Sequence, residues 1–238
     1  MKKIAVLSSD TAHHRYFLNA ILREGISLAG CLFETEHVEA PFPIGPLFET
    51  EEDSFEAEYF FNRTPRELPI GLTLEVKSVN SLEAAEKIRR LKPDFGVVFG
   101  TGKISKDVIQ MFPDGLINVH RGIAEEYRGL DSDLWAIYHN DYKNIGVTIH
   151  KVEPLLDTGD VVLQERMELK AGMKTHQIRY YTSLIATDLV IKALKDYLSG
   201  TLKHRPQEKR GKYCSFMPLD LKKMVNEKFN NYCEKLDF

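Results

Sequence analysis

The feature that most constrains the fold is an alternation of short apolar runs with amphipathic segments, which begins at the N-terminus. Residues 2–8 form a mainly apolar run typical of a buried strand. Residues 11–24 then place apolar side chains at helical spacing, Gly25 ends this helix, and residues 28–33 form a second apolar run. Because a strand, a helix and a strand in this order favour parallel pairing, the sequence predicts an α/β fold built on a parallel sheet.

The same alternation continues to residue 200. Further strands are predicted at residues 72–79, 95–99, 116–120, 145–151 and 161–168, and further helices at residues 81–91, 105–111, 130–139, 174–199 and 219–236. The helix at 81–91 begins with a serine cap and places Leu82, Ala85, Ile88 and Leu91 on one face.

Residues 34–69 interrupt the alternation with acidic residues, prolines and aromatic residues. Two interpretations fit this composition: a mobile, lid-like insertion, or a solvated acidic helix docked by its aromatic side chains. We favour the docked helix.

Composition excludes several classes of protein. The net charge of −3 argues against a large non-specific nucleic-acid footprint, which needs clustered Lys and Arg. No window approaches a membrane span, and the N-terminal apolar run is too short for a signal segment. The three cysteines, Cys31, Cys214 and Cys233, form neither a paired framework nor a metal spacing. We therefore expect reduced thiols and a cytoplasmic protein that does not act on membranes.

Two turns at strand ends bear on ligand binding. The turn after the first strand, residues 8–14, lacks the Gly-x-Gly-x-x-Gly pattern, which argues against an NAD site. Gly100 and Gly102 flank Thr101 after the strand at 95–99. Glycines there let the backbone approach a ligand, but a plain tight turn explains them equally well.

The residues with the clearest chemistry lie between 116 and 160. Asn118 and His120 are two residues apart on a predicted strand, so both side chains point to the same face. Asp157 follows the next strand between turn residues. An amide, an imidazole and a carboxylate can together support acyl transfer, by stabilising an oxyanion and moving a proton. Since no Ser or Cys nucleophile elbow is present, we expect the attacking group to belong to the substrate.

A metal site is the alternative for this stretch, because His120, His139, His150 and Asp157 lie within forty residues. None of them falls into a familiar ligand spacing. We therefore predict no metal.

Four motifs in this part of the chain together resemble those of a known family. The motifs are Asn118-Val119-His120, Arg128-Gly129, Gly146-Val147-Thr148-Ile149-His150 and Leu156-Asp157-Thr158-Gly159-Asp160. Their order resembles that of the folate-dependent formyltransferases, the superfamily of glycinamide ribonucleotide and methionyl-tRNA formyltransferases. The resemblance implies a Rossmann-like, mostly parallel sheet with helices on both faces. It also implies a catalytic domain at residues 1–202, with the insertion at about 35–69, and a C-terminal tail and helix at residues 203–238.

The resemblance further implies that 10-formyltetrahydrofolate is the co-substrate and that its formyl group passes to an amine. Asn118 and protonated His120 would stabilise the oxyanion, and Asp157 would support His120. The donor would lie against two segments, whose residues are Phe99, Gly100, Thr101, Gly102, Ile104, Val152, Leu155 and Leu156.

The acceptor is predicted from departures from the family pattern. The family usually carries Ser-Leu-Leu-Pro where this chain has Gly122-Ile123-Ala124-Glu125, and the Gly-rich phosphate loop of glycinamide ribonucleotide enzymes is replaced. The tail is also too short for the extra domain of methionyl-tRNA enzymes. The remaining resemblance is to small formyltransferases that act on nucleotide-linked amino sugars.

We therefore predict a small-molecule amine, a nucleotide sugar, as the partner, and no nucleic acid. Its predicted contacts are His13, His14, Arg15, Arg121 and Arg128, although the first three also fit a solvated first helical turn. Two alternative functions remain open, a formyltetrahydrofolate hydrolase and a catalytically silent folate-binding homologue. The aromatic segment 213–216 is either a homodimer contact or core packing.

Overall fold

The computed structural model describes residues 2–36, 38–62 and 66–236, and within these ranges the centre is a seven-stranded sheet in the order β3-β2-β1-β4-β5-β7-β8. Its strands are Ile4–Ser8 (β1), Leu28–Glu34 (β2), Thr73–Val76 (β3), Phe95–Phe99 (β4), Gly115–His120 (β5), Gly146–Lys151 (β7) and Val161–Arg166 (β8). A small parallel sheet joins Tyr127–Gly129 (β6) to Lys212–Cys214 (β9).

The helices connect these strands. They are Ala12–Arg23 (α1), Glu49–Phe61 (α2), Leu82–Leu91 (α3), Lys106–Ile109 (α4), Ser132–Tyr138 (α5), Ile178–Ser199 (α6) and Leu219–Glu234 (α7). None of the helices in the described ranges combines the length and the apolar composition that crossing a bilayer would require.

The sheet is mostly parallel, as predicted. β3, β2, β1, β4 and β5 all pair in parallel, whereas β7 is antiparallel to both β5 and β8. The antiparallel register places His150 directly opposite Asn118. This pairing brings a second histidine to the end of β5.

Both faces of the sheet are covered, which confirms the predicted layers. Successive residues of β1 point to opposite faces. Ile4 and Val6 pack in one buried cluster with α1 and α6, while Ala5 and Leu7 pack in another with α3 and α4. The carboxyl ends of β4 and β5 are left to form the floor of a cavity.

The helix α2 confirms the favoured interpretation of the insertion. The Phe60 ring stacks on Tyr16 of α1 with ring centroids 4.4 Å apart, and the Phe55 ring meets Tyr180 of α6 edge-on at 5.2 Å. Aromatic pairs of this kind dock the helix by burying large apolar areas.

The expectation that the acidic residues of this helix are solvated is wrong for Glu52 and Glu56. Both are buried, and both form ion pairs with Arg179 of α6. The reason is that α2 turns this edge toward the partly buried Arg179 guanidinium, which offers hydrogen bonds and a positive charge to both carboxyl groups.

The C-terminal segment packs into a core of its own with the end of the main domain. Phe229 and Val225 of α7 are fully buried in a cluster that includes Ile137 of α5. In the aromatic segment, Cys214 is buried, whereas the Tyr213 side chain is 61% exposed.

Candidate active site

A cavity of about 340 Å³ opens at the carboxyl ends of β4 and β5. Ligands of parallel α/β sheets bind at this edge, where loops leave the strands. The cavity brings together Asn118, His120 and Asp157. Its walls include every residue predicted to contact the donor: Phe99, Gly100, Thr101, Gly102, Ile104, Val152, Leu155 and Leu156.

His120 is the last residue of β5, and its side chain is buried. Its Nε2 lies 2.8 Å from the Tyr127 carbonyl oxygen, which can only accept, so Nε2 carries a hydrogen. Its Nδ1 faces the Asp157 carboxylate at 3.5 Å. Burial lowers the pKa of His120, and the Asp157 charge opposes this effect. The carboxylate thus favours a proton on Nδ1.

Asp157 adopts a left-handed backbone conformation, with φ of +52°. Its Oδ2 accepts a hydrogen bond from the Gly129 N–H at 2.7 Å, and its Oδ1 lies 3.2 Å from His150 Nε2. Burial alone would raise the pKa of Asp157, but the two imidazoles and the Gly129 N–H together hold it well below its ordinary value. The carboxylate is therefore a stable negative charge beside His120.

His150 connects the amide to the carboxylate. Its Nδ1 donates to the Lys151 carbonyl at 2.8 Å, and its Nε2 lies 3.2 Å from Asn118 Nδ2. The sequence indicated His150 as a metal-ligand candidate and as the end of a family motif, and it assigned no catalytic role to this residue. His150 reaches Asn118 through the antiparallel pairing of β5 and β7, and this pairing could not be predicted from the sequence.

Gly122, the first departure from the family loop, makes room for His120. A Cβ at this position would lie 2.6 Å from His120 Nε2 and 2.7 Å from Ser132 Cβ. A side chain there would push His120 out of its contact with the Tyr127 carbonyl.

The cavity wall at residues 100–102 packs against His14 and is hydrogen-bonded to Glu34. Gly100 has φ of +81°, and a Cβ on it would lie 2.3 Å from His14 Nε2. The buried Glu34 carboxylate accepts hydrogen bonds from the Gly102 and Val79 N–H groups, each at 2.9 Å. Because these glycines line the cavity, their backbone is open to close approach by a ligand.

The predicted anion contacts in α1 are not exposed to the cavity. His13 and His14 are both buried, and His13 Nδ1 lies 3.1 Å from Glu56. Arg15 binds Asp10 through two nitrogen atoms. Burial lowers the pKa of both histidines well below its ordinary value, which keeps them neutral. The solvated-turn alternative is therefore wrong for both histidines, because α2 covers this turn.

The two remaining predicted contacts differ in position. Arg128 is buried and donates to the Gly211 and Leu156 carbonyls, at 2.8 and 3.2 Å, so it braces the loop that carries Asp157. Arg121 lines the cavity, and no hydrogen bond or ion pair ties its guanidinium to another residue in the described ranges. Of the five predicted contacts, Arg121 is the one that offers a positive charge to this cavity.

Within residues 2–36, 38–62 and 66–236, no group of three or more His, Cys, Asp or Glu side chains could hold a metal ion.

Comparison with known proteins finds a family match and similar sequences and structures. Residues 38–193 match the family model described as formyl transferase. The chain is 33% identical over 135 residues to the methionyl-tRNA formyltransferase of Borrelia hermsii, a match that covers 56% of this chain and 43% of that enzyme. The chain thus spans less than half the length of this curated relative.

Solved structures share the fold. A 4-N formyltransferase from Francisella tularensis superposes with a TM-score of 0.62 at 17% identity, over 90% of this chain and 76% of that one. The formyltransferase PseJ from Anoxybacillus kamchatkensis, solved with UDP-4,6-dideoxy-4-formamido-L-AltNAc and tetrahydrofolate, gives a TM-score of 0.56 at 17% identity, over 94% and 89% of the two chains.

Proposed function

This chain belongs to the formyl transferase family, and we propose that it transfers a formyl group from 10-formyltetrahydrofolate to the primary amine of a nucleotide-linked amino sugar. The observation that carries the proposal is the meeting of Asn118, His120 and Asp157 at the end of a cavity walled by residues 99–104 and 152–157. The neighbour from A. kamchatkensis, solved with a formamido sugar nucleotide and tetrahydrofolate, supports the same choice of donor and acceptor.

The cavity fits a folate donor. Apolar side chains such as Ile104, Val152 and Leu155 suit the faces of a flat ring, and the backbone at Gly100 and Gly102 suits its polar edge. When bound, 10-formyltetrahydrofolate supplies an electrophilic formyl carbon and a nitrogen that must regain a proton.

Asn118 serves as an oxyanion donor. The Nδ2 of its side-chain amide lies 3.2 Å from His150 Nε2, and an amide N–H remains for the formyl oxygen. His150 thereby fixes the orientation of the amide before the substrate arrives. Preorganised donors of this kind act on charge that develops in the transition state.

His120 holds the proton that the reaction moves. Its Nε2–H is fixed on the Tyr127 carbonyl, so Nδ1 is the exchangeable position, facing Asp157. The 3.5 Å separation is longer than a tight hydrogen bond, which leaves the Nδ1 proton accessible to a substrate atom. Asp157 orients the imidazole and stabilises the charge that His120 gains when it takes up a proton, while its own carboxyl stays ionised.

Arg121 is the proposed contact for the acceptor. Arg121 directly follows His120 in the sequence and lines the same cavity. A phosphate of a nucleotide sugar is the kind of anion that a guanidinium binds bidentately.

A methionyl-tRNA acceptor is the second candidate, and the 33% identity to the B. hermsii enzyme favours it. The net charge of −3 favours the small acceptor, because a tRNA contact relies on clustered cations.

The test is to incubate the protein with 10-formyltetrahydrofolate and, separately, nucleotide-linked amino sugars and charged methionyl-tRNA. Tetrahydrofolate release and the formylated product are measured by absorbance and mass spectrometry. We expect product with an amino sugar nucleotide. Equal tetrahydrofolate release without any amine would indicate a hydrolase, and donor binding without turnover would indicate a silent homologue.

A further inference from the structure

The tail segment 205–211 runs along the loop that carries Asp157 and contacts it directly. We propose that Gln207 is a positioning residue, which holds the Asp157 backbone so that its carboxylate reaches both His120 and His150. This inference rests on the proposed formyl transfer for its kinetic consequence, but its structural part concerns the protein alone.

Gln207 bonds to two carbonyls of the loop. Its Nε2 donates to the Asp157 and Gly159 carbonyl oxygens, each at 2.9 Å. The carboxylate of the same Asp157 accepts the Gly129 N–H at 2.7 Å. Both the backbone and the side chain of Asp157 are therefore tied, which is what a left-handed non-glycine residue needs to stay in place.

The loop has little apolar packing on its outer side. The Leu155 and Leu156 side chains are 59% and 38% exposed, so they contribute little packing. The Thr158 hydroxyl bonds only within the loop, to the Leu155 carbonyl. Hydrogen bonds from outside the loop consequently fix the position of Asp157, and Gln207 provides two of them.

Gln207 can act as a brace because its neighbours are anchored. The Arg205 guanidinium forms a bidentate pair with Glu125, with both distances 2.8 Å, and the Glu208 N–H donates to the same carboxylate at 2.6 Å. The backbone of Arg205 also pairs with Val161 of β8.

The anchor Glu125 is one of the residues in which this chain departs from its family. The pair with Arg205 lowers the pKa of Glu125 to about 2, so the carboxylate is ionised at neutral pH. The family pattern has Pro in this register, and a prolyl side chain accepts no hydrogen bond. The departure thus gives this chain a fixed tail from which Gln207 reaches Asp157.

The kinetic test compares Gln207→Glu and Gln207→Ala with the matched control Lys209→Ala. Glu has the size of Gln but lacks the donor, whereas the Lys209 side chain is exposed and contacts only Glu126 among the ion pairs of this segment. We expect kcat to fall about tenfold in both Gln207 variants, with KM for the amine unchanged. The limb of the kcat profile that reports His120 should move to lower pH by about one unit, because a displaced Asp157 carboxylate no longer opposes the lowering of the His120 pKa by burial.

The control should keep kcat within about twofold and leave the pH profile unmoved, since its site is solvent-exposed. A purely structural role for Gln207 would lower the amount of folded enzyme without moving the profile. Wild-type kcat and an unmoved profile in both Gln207 variants would overturn the inference.

Hydrogen exchange of the free protein separates this inference from the proposed function. Amides in residues 153–160 should exchange faster in Gln207→Glu than in the wild type and in Lys209→Ala. Unchanged exchange there would overturn the positioning role whatever the activity. A wild-type protein that consumes no donor would reject the proposed function, and the exchange result would still decide the role of Gln207.

Discussion

At the scale of single residues, Asp157 carries the largest share of the geometry. One carboxylate contacts His120, His150 and the Gly129 N–H, and its backbone is held at a positive φ. That conformation costs about 1 to 2 kcal/mol for a residue with a side chain. The contacts on the carboxylate offset this cost and place a permanent charge next to His120.

The role of His120 gives a direct prediction. His120→Ala should lower amine-dependent tetrahydrofolate formation by about 1,000-fold, because the proton held at Nδ1 is lost. Binding of a folate analogue, measured by calorimetry, should stay close to that of the wild type. The matched control is His139→Ala, which removes an exposed histidine outside the cavity. Full turnover in His120→Ala would contradict the role given to this side chain.

The sequence predicted some of the site residues through local spacing. Asn118 and His120 lie two residues apart on one strand, so their side chains were predicted to share a face. The turn residues around Asp157 indicated that it lies in a loop. The position of His150 depends on antiparallel pairing, which no local pattern encodes. The burial of His13 was not predicted, because its partner Glu56 of α2 lies 43 positions away along the chain.

At the scale of elements, the docking of α2 on α6 depends on one partly buried cation. Arg179 forms ion pairs with Glu52, Asp53 and Glu56. Glu56 is fully buried, so losing Arg179 would leave its charge uncompensated. The insertion is thereby fixed to the main domain by charge as well as by aromatic packing.

We expect Arg179→Ala to lower the free energy of unfolding by about 3 kcal/mol. The control on the same helix is Lys192→Ala, which removes an exposed i,i+4 pair with Asp196 and should cost less than about 0.5 kcal/mol. Urea denaturation measures both. Equal losses in the two variants would show that the buried cluster adds nothing to stability.

Glu52 makes the stability of this element depend on pH. Burial raises the pKa of its carboxyl to about 8, although the Arg179 charge opposes the shift. Between pH 6.5 and 8 the folded protein therefore holds a proton that the unfolded chain has lost, so stability falls as pH rises. Burial lowers the pKa of His13 and His14, which confines their effect to lower pH.

The wild type should therefore lose up to about 1.4 kcal/mol of stability per pH unit between pH 6.5 and 8. Glu52→Gln, which cannot ionise, should show a flat profile over the same range. Denaturation at several pH values compares the two slopes. Parallel slopes would contradict a raised pKa at Glu52.

Strong apolar periodicity predicted where a helix begins, but it predicted less well which of its residues are buried. In α3 the Ser81 cap was predicted correctly, but Leu82 is 83% exposed, and the buried stripe contains Ala84 and Ile88. The period of 3.6 residues fixes the width of such a stripe but not its rotation when several apolar residues compete.

At the scale of the whole molecule, the C-terminal segment both completes a core and braces the active-site loop. Phe229 of α7 is fully buried against residues of the main domain. We expect Phe229→Ala to cost about 3 to 4 kcal/mol, as for other buried aromatic side chains. Met224→Ala on the same helix removes a side chain that is 44% exposed and should cost less than about 0.5 kcal/mol. Thermal and urea unfolding give both values, and a neutral Phe229→Ala would contradict the packing of the tail.

The mostly parallel character of the sheet followed from the sequence, whereas the contacts of the tail did not. Gln207 reaches Asp157 across 50 positions, and Arg205 reaches Glu125 across 80. Such contacts depend on the path that the chain takes across the folded domain after β8. Periodicity reports only local structure, so it could not indicate them.

The most direct test of the account measures tetrahydrofolate formation from 10-formyltetrahydrofolate with and without a nucleotide-linked amino sugar, together with the formylated sugar. The account predicts that tetrahydrofolate forms only when the amine is present and in equal amount to the formylated product. Tetrahydrofolate release that is unaffected by the amine, or no binding of the donor at all, would contradict it.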